Sequence, residues 1–229
     1  MQNSTIISIT QQTPDIRIFR IKTDQPFEFI AGQFAVFEMG GVKRAYTIAS
    51  APNPDYLEFI IVLVPGGALT TQLWKLGVGD RLAVTPKAFG HITIEKIPKD
   101  SPILMLATGT GIAMMRSMIQ AGAHRDRKVV LVSGARFAAD LGYRDEFDNI
   151  NNENFTAIQL ASREEYKGKQ GRITLAFEDP DLSKLLPALD PSTGLNIVMC
   201  GGPDMIDALV DKFTALGFTT NENLHFEKY

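Results

Sequence analysis

The sequence predicts two domains, an antiparallel β-barrel followed by an α/β domain with a parallel five-stranded sheet. Up to about residue 96, short runs alternate apolar and polar residues between Gly, Pro and Asn turns. From residue 101 onward, continuous apolar runs are separated by segments long enough for crossover helices. The 229 residues suffice for two cores. The polar stretch 96–101 separates the two patterns, so we set the domains at 1–98 and 99–229.

The first domain is predicted to contain six short strands, with a short helix at 68–76. The strand runs are IISIT (6–10), DIRIFRIKT (15–23), QFAVFEM (33–39), LEFIIVLV (57–64), RLAVT (81–85) and HITIE (91–95). Turn signals recur between them, and a small barrel accommodates such closely spaced strands. These signals are Gly40-Gly41, Pro52-Asn53-Pro54, Pro65-Gly66-Gly67 and Gly77-Val78-Gly79-Asp80.

The second domain is predicted to alternate five buried strands with four helices. The strand runs are ILMLA (103–107), KVVLVSG (128–134), FTAIQLA (155–161), NIVMC (196–200) and NLHFE (223–227). Helices are predicted over 111–122, 139–150, 173–178 and 203–216. Pro203 fits the first turn of the last helix because that position needs no amide donor.

Composition excludes several classes of protein. A net charge of −3 argues against a nucleic-acid binder with a strongly basic face. One cysteine rules out a built-in iron–sulfur cluster, and three scattered histidines make metal catalysis improbable. The longest apolar run, residues 59–64, is far shorter than the roughly 20 residues of a membrane span. The amino terminus lacks signal-peptide features, so a cytoplasmic location is expected.

The clearest motif is a glycine turn between the first parallel strand and its helix. Gly109, Thr110 and Gly111 stand where backbone amides and the positive end of a helix dipole can bind a pyrophosphate. A tight turn that binds no ligand would explain the same glycine pattern about as well as a nucleotide site does. The turn therefore predicts a dinucleotide site without proving one.

Basic residues follow the next two strands of the predicted sheet. Arg136 ends the second strand, Arg163 follows Ser162 at the end of the third, and Arg172 precedes the next helix. Guanidinium groups bind phosphate oxygens in pairs, so this set suits the extra phosphate of NADP. The alternative is ordinary surface arginines, paired with Asp140, Glu164 and Glu165.

In the barrel, the segment Arg44-Ala45-Tyr46-Thr47-Ile48-Ala49-Ser50 places a charge, an aromatic ring and a hydroxyl on one strand. Period-two geometry puts Arg44 and Tyr46 on one face and Thr47 on the other. The plain interpretation of this segment is an edge strand with surface side chains.

With these residues, the sequence resembles the ferredoxin-NADP reductase family of flavoproteins, specifically its compact bacterial type. The resemblance covers nearly the whole chain, and the order and spacing of its motifs are specific. They are FIAGQFAVF, RAYTIAS, VPGGALT, GVGDRLAV, LATGTGIA, GARFAADLGY, ASRE, GRI, MCGGPDM and FEKY.

The resemblance implies that FAD binds the barrel. Arg44 would pair with the FAD pyrophosphate, Tyr46 would pack against the flavin ring system, and Thr47 would hydrogen-bond near flavin N5. Ala45, between Arg44 and Tyr46, is also predicted to bind the cofactor. The turn at Gly67, Ala68, Leu69 and Thr70 would offer amides to the pyrophosphate. Thr110 would touch the flavin from the other side.

The resemblance likewise implies that NADP(H) binds the second domain. Residues around the 2′-phosphate would be Ala135, Arg136, Ser162, Arg163 and Arg172. Beside the nicotinamide would lie Cys200, Gly201, Gly202, Pro203, Asp204 and Met205. Cys200, Thr47, Glu227 and Tyr229 are the predicted catalytic residues, with Tyr229 covering the flavin face that nicotinamide must occupy. A frayed chain end is the alternative for Tyr229, and a small buried hydrophobe is the alternative for Cys200.

The implied activity is hydride exchange between NADPH and FAD, with single electrons passed to or from a ferredoxin or flavodoxin by a monomeric protein. Two alternatives remain: an NAD(P)H-dependent reductase component of an oxygenase or a flavin reductase, and a redox-silent flavin or nucleotide sensor. The sequence departs from the family at Thr47, usually serine, and at Met114, commonly proline. It also has no long adenine-binding insertion in the barrel, which predicts a loosely held FAD adenine.

Overall fold

The computed structural model describes residues 1–52 and 55–229 and contains two sheets. The first sheet is antiparallel, in the order β4-β3-β6-β1-β2-β5. Its strands are β1 (Gln2–Thr13), β2 (Ile16–Thr23), β3 (Phe34–Met39), β4 (Val42–Thr47), β5 (Leu57–Val62) and β6 (Arg81–Val84). Helix α1 (Thr70–Leu73) lies between β5 and β6.

The first sheet is rolled into a barrel around an aromatic core. Phe19, Phe37 and Phe59 are fully buried there. Successive side chains of a strand point to opposite faces, and these three lie on the faces turned to the barrel interior. The two edge strands approach each other because the Ala49 amide, just after β4, donates 2.7 Å to the Glu58 carbonyl of β5. This contact brings the end of β4 against β5.

The second sheet is parallel, as predicted, in the order β11-β10-β7-β8-β9. Its strands are β7 (Ile103–Thr108), β8 (Val129–Ala135), β9 (Phe155–Ala161), β10 (Asn196–Gly201) and β11 (Leu224–Lys228). Its helices are α2 (Ile112–Gln120), α3 (Arg144–Asp148), α4 (Pro180–Ser183) and α5 (Pro203–Ala215). The two-domain, barrel-then-α/β fold class is thereby confirmed, while the boundary between residues 98 and 99 stays a prediction.

The predicted strand HITIE is wrong. In its place the chain turns into a short 3₁₀ helix at Ile94–Lys96, with the Ile94 amide donating to the Ala31 carbonyl. Ile92 and Ile94 pack against the core under α2. The alternation of Ile92 and Ile94 in the sequence therefore comes from packing against the second domain. The alternating sequence pattern alone does not distinguish such packing from a β-strand.

Three predicted helices are shorter than expected. The one at 139–150 is divided into a 3₁₀ turn, Ala138–Asp140, and α3, because Tyr143 between them has φ +57°. The one at 68–76 is only α1, and the one at 173–178 is the 3₁₀ helix Ile173–Phe177. The turn prediction at Pro52-Asn53-Pro54 lies partly outside the described residues.

Within the described ranges, no helix has the length and apolarity to cross a bilayer. The same part of the chain holds no cluster of three or more His, Cys, Asp or Glu side chains suited to a metal ion.

Candidate active site

A cleft of about 790 Å³ opens where the carboxyl ends of β7, β8, β9 and β10 meet the barrel. The strand order reverses between β7 and β10, and ligands of open α/β sheets bind at such a switch point. Many of the sequence-predicted residues line it. They are Gly109, Thr110, Ala135, Arg136, Ser162, Arg163, Arg172, Gly202, Pro203, Asp204, Met205 and Tyr229.

The glycine turn is a 3₁₀ turn, Gly109–Gly111, that leads directly into α2. Gly109 has φ +51°, which favours glycine. Gly111 is needed for a different reason, since a Cβ there would lie 2.2 Å from the Cys200 carbonyl oxygen. Two glycines therefore bring the start of α2 against the end of β10.

The three strand-end arginines lie along one wall of the cleft. Backbone hydrogen bonds hold the strand ends together, with the Arg163 amide donating 2.9 Å to the Arg136 carbonyl. Among residues 1–52 and 55–229, Arg136, Arg163 and Arg172 form no ion pair, and the Glu164 carboxylate instead accepts from the Ala138 amide. The alternative of carboxylate-paired surface arginines is not what the structure contains. Three free guanidinium groups fit a phosphate monoester.

Cys200 and Glu227 are partners in the register of β10 and β11. Cys200 is 3% exposed, and burial, followed by the nearby Glu227 charge, raises the pKa of its thiol to about 12. Burial also raises the pKa of Glu227 above its ordinary value. Cys200 is therefore a protonated thiol at neutral pH, consistent with a positioning role and not with a nucleophile.

Tyr229 lies over the glycine turn. Its hydroxyl donates 2.6 Å to the Thr108 carbonyl, and its amide donates 3.3 Å to the Gly201 carbonyl. A Cβ on Gly109 would lie 2.9 Å from the Tyr229 hydroxyl. The terminal residue is docked in the cleft and is not a frayed end.

The barrel motif lies on β4 with the predicted facing. Arg44 and Tyr46 pair with Phe37 and Ala35 of β3, whose side chains enter the core, while Thr47 faces the other way. The Tyr46 ring is half-buried 4.9 Å from the Phe37 ring, and burial, opposed by the Arg44 charge, raises its pKa to about 12. Arg44 and Ala45 are exposed.

The turn before α1 differs in detail from the expectation. The Gly67 amide donates 2.8 Å to the Val64 carbonyl, so it is used inside the turn and not aimed at an anion. The Thr70 hydroxyl also contacts the Val64 backbone. Leu69 is buried in the barrel core, and Ala68 is exposed. The Gly67 amide and the Thr70 hydroxyl therefore stabilise the turn itself.

The cleft also includes residues that sequence reasoning missed. Asp15, Ile16 and Val62 of the barrel form part of its lining, together with Asp140 of the second domain. Asp15 and Ile16 stand at the turn between β1 and β2, where ordinary hairpin chemistry explains them. Their place in the cleft is evident only from the tertiary structure, in which the Gln12 side chain of that hairpin donates 2.9 Å to the Ala139 carbonyl of the second domain. The predicted barrel residues Arg44, Tyr46, Thr47 and 67–70 do not line this cleft.

A barrel joined to an α/β domain, with an arginine-lined cleft at its switch point, defines a two-domain flavin- and pyridine-nucleotide-dependent oxidoreductase. Family models agree with this class: residues 3–91 match the oxidoreductase FAD-binding domain, and residues 105–211 match the oxidoreductase NAD-binding domain. The chain belongs to the flavodoxin/ferredoxin–NADP reductase family.

Two relatives carry this assignment. The flavodoxin/ferredoxin–NADP reductase of Escherichia coli K12 is 36% identical over 189 residues, which cover 78% of this chain and 76% of the relative. The enzyme of the same name from Buchnera aphidicola of Baizongia pistaciae is 30% identical over 201 residues, covering 82% and 81%.

Solved structures share the fold. A ferredoxin NADP⁺ reductase from Neisseria gonorrhoeae with bound FAD and NADP matches with a TM-score of 0.89 at 24% identity, over 99% of this chain and 97% of that one. A ferredoxin reductase of carbazole 1,9a-dioxygenase matches with a TM-score of 0.83 at 26% identity. That match covers 99% of this chain but 68% of the other.

Proposed function

We propose that this protein is a ferredoxin or flavodoxin–NADP⁺ reductase, which exchanges hydride between NADPH and FAD and single electrons with a small ferredoxin or flavodoxin. The observation that carries the NADP part is the wall of three arginines beyond the ends of β8 and β9, which form no ion pair with any of the described residues. The carriers are inferred from the names of the relatives, which include flavodoxin/ferredoxin and ferredoxin reductases.

The second domain would hold NADP(H) along the cleft. Arg136, Arg163 and Arg172 would bind the 2′-phosphate, aided by Ser162 and the backbone of Ala135. The turn at 109–111 and the amino end of α5, from Gly202 to Met205, would bind the pyrophosphate and nicotinamide ends. Free amides at helix starts and planar guanidinium groups are the donors that phosphates prefer.

The barrel would hold FAD along β4 and the turn before α1. Exposed Arg44 would pair with the pyrophosphate, and half-buried Tyr46 would offer an aromatic face to the flavin. Because the Gly67 amide is used inside its turn, the following residues 68–70 would provide the backbone donors. When bound, FAD takes two electrons as hydride and releases them one at a time.

Four residues would handle the transfer itself. The Thr47 hydroxyl would donate toward the flavin, and the neutral Cys200 thiol would position the nicotinamide without bringing a charge to it. Glu227 would neighbour Cys200 at the end of β11. Tyr229 would leave its hydrogen bond to Thr108 so that nicotinamide could enter.

Anaerobic stopped-flow mixing tests this proposal. The purified flavoprotein is mixed with NADPH or NADH, and then with a reduced or oxidised ferredoxin and flavodoxin. Bleaching of bound flavin by NADPH, faster than by NADH, followed by one-electron exchange with either carrier, supports it. A protein purified without flavin, or a flavin that NADPH does not reduce, contradicts it.

A second candidate is the reductase component of an oxygenase. The similarity to the carbazole dioxygenase reductase favours it, although this chain spans only 68% of that protein. This candidate predicts comparable or faster reduction by NADH and no exchange with ferredoxin or flavodoxin. The proposal further includes a monomer located in the cytoplasm; gel filtration and cell fractionation test these two points.

A further inference from the structure

Helix α2 holds the segment that directly follows β4. Three of its side chains, on the face turned to the barrel, reach residues 49–51 of the other domain. The contacts are Arg116 Nη1 to the Ala49 carbonyl oxygen (3.0 Å), Ser117 Oγ to the Ser50 carbonyl oxygen (2.7 Å), and the Ala51 amide nitrogen to Gln120 Oε1 (3.2 Å).

Arg116 is the centre of this contact. It is 5% exposed, and its Nη1 also lies 2.7 Å from the carboxylate of Glu58, which is 1% exposed. Its Nε pairs with Glu146 at 2.8 Å, and its guanidinium lies 3.9 Å from the centre of the Tyr143 ring. Every contact of this arginine is therefore directional, and a planar fork fixes several partners at once.

The two barrel partners of Arg116, Ala49 just after β4 and Glu58 in β5, lie where these chain segments meet beside Thr47. The Ala49 amide donates to the Glu58 carbonyl, and the Glu58 amide donates to the Ser50 hydroxyl. Arg116 therefore contacts both chain segments at this junction, through Ala49 and through Glu58. Thr47, two residues before Ala49, is therefore tied to α2 through a short and buried length of chain.

The opposite end of α2 is tied to Cys200. Gly111, directly before α2, leaves no room for a Cβ against the Cys200 carbonyl. From Gly111 to Arg116 the helix rises ~7.5 Å, and an α-helix of this length behaves as a rigid spacer. One helix thus contacts both the strand end behind Cys200 and the strand end behind Thr47.

Buried ion pairs do not by themselves indicate such a role. Replacing one with apolar residues is often neutral for stability, whereas removal of one partner leaves a costly unpaired charge. The distinguishing feature here is the hydrogen bond from Arg116 to the Ala49 carbonyl, because it joins the two domains at the segment next to the flavin motif. Hydride transfer requires the reacting atoms to be about 3–3.5 Å apart, so small displacements of either domain are costly.

We propose that Arg116 is a positioning residue for hydride transfer, which sets the spacing between the Thr47 and Cys200 sides of the site by clamping α2 to residues 49 and 58. Arg116 is not among the residues that line the cleft. This inference rests on the proposed function. Reduction of the wild-type flavin by NADPH tests the proposed function by itself. Only if the wild type is reduced does the comparison with the variants test the role of Arg116.

The test compares Arg116→Met with Arg127→Met as a matched control. Arg127 also donates to backbone carbonyls between the domains, those of Ile97 and Pro98, but is not tied to β4. For each FAD-loaded protein we would measure the rate constant of flavin reduction by NADPH, the Kd of NADP⁺, and the flavin absorbance difference spectrum that NADP⁺ induces. The last two readouts involve no turnover.

For Arg116→Met we expect the reduction rate constant to fall about 10-fold or more. We also expect a changed difference spectrum and a Kd for NADP⁺ within about threefold of the wild type, because the phosphate wall is intact. Arg127→Met should leave all three values within about twofold. Wild-type rate and spectrum in Arg116→Met, or an equal loss in both variants, would overturn the inference.

The double variant Glu58→Gln/Arg116→Met separates positioning from stability. In Arg116→Met the buried Glu58 carboxylate keeps its ion pair with half-exposed Arg20 but loses the one with Arg116. Glu58→Gln removes that buried charge, so the unfolding midpoint of the double variant should recover toward the wild type. Its reduction rate and difference spectrum should stay altered, because the Ala49 contact is still missing. Recovery of rate together with stability would overturn the inference, and this result decides the question even if Arg116→Met alone does not fold.

Discussion

The hydroxyl of Tyr229 donates 2.6 Å to the carbonyl oxygen of Thr108, which joins the last residue of the sequence to the end of the central strand β7. The ring thereby lies over the glycine turn at the point where β7 leads into α2. A nucleotide that uses this turn has to displace the ring. Under the proposed function, this hydrogen bond would oppose the binding of a pyridine nucleotide at the turn.

Removal of this ring should tighten nucleotide binding. A displaced hydrogen bond of about 1 kcal/mol corresponds to a Kd for NADP⁺ about 5-fold lower in Tyr229→Ser, measured by spectral titration of the bound flavin. Tyr229→Phe removes the hydroxyl and keeps the ring, so its Kd should fall by the same factor if the hydrogen bond is the obstacle and stay at the wild-type value if the ring itself is. An unchanged Kd in both variants would show that Tyr229 does not obstruct the site.

The hydroxyl of Thr47 is predicted to support hydride transfer. Thr47→Ala should lower the rate constant of flavin reduction by NADPH roughly 100-fold, as expected for loss of one donor at a developing charge. Thr47→Ser keeps the hydroxyl and should stay within a few-fold of the wild type. Anaerobic stopped-flow at saturating NADPH measures both, and equal rates in the two variants would contradict the assignment.

The arginine wall should discriminate NADPH from NADH. Charge-assisted hydrogen bonds contribute about 1.5–3 kcal/mol each, so Arg163→Ala or Arg172→Ala should lower kcat/KM for NADPH about 10- to 100-fold. The value for NADH, which lacks the 2′-phosphate, should hardly change. Exposed Arg125, outside the cleft, provides the control variant Arg125→Ala. A parallel loss for both nucleotides would show that the arginines act elsewhere.

Glu227 should make stability depend on pH. Burial raises its pKa above the ordinary value of 4.5, so the folded protein binds this proton more tightly than the unfolded chain does. The folded state consequently loses stability as pH rises above about 4.5, until Glu227 is fully ionised. Glu227→Gln should therefore raise the unfolding midpoint at pH 8 and have little effect near pH 4.

Thermal unfolding of the FAD-loaded protein across this pH range measures the effect. The control is Glu222→Gln, at an exposed position before the same strand. A Glu227→Gln midpoint that follows the wild type at every pH would show that Glu227 ionises freely in the fold.

Gly111 should tolerate no side chain. The Cβ of Gly111→Ala would lie 2.2 Å from the Cys200 carbonyl oxygen, so α2 or β10 would have to move. Overpacking of this kind destabilises by about 1–3 kcal/mol, measurable by urea unfolding. Gly77→Ala is the control, because the nearest atom to its Cβ is an Asp80 carboxylate oxygen at 3.9 Å. Equal stability of the two variants would contradict the close approach.

Much of the architecture follows from local pattern. Buried apolar runs predicted the five parallel strands, and the family motifs predicted many of the second-domain residues that line the cleft, but none of its barrel residues. Local pattern failed where distant packing decides. Ile92 and Ile94 alternate like a strand but pack under α2, and Tyr143 interrupts a helix that its neighbours would otherwise continue.

The sequence by itself determined the barrel-then-α/β fold, the cofactor classes and the three arginines that line the cleft, because each depends on residue type and short-range spacing. Only the tertiary structure decided that the strand-end arginines form no ion pair within the described residues, and that Arg116 clamps residues 49 and 58. These features join groups far apart in the chain, and hydrogen bonds between such groups depend on how the two domains pack.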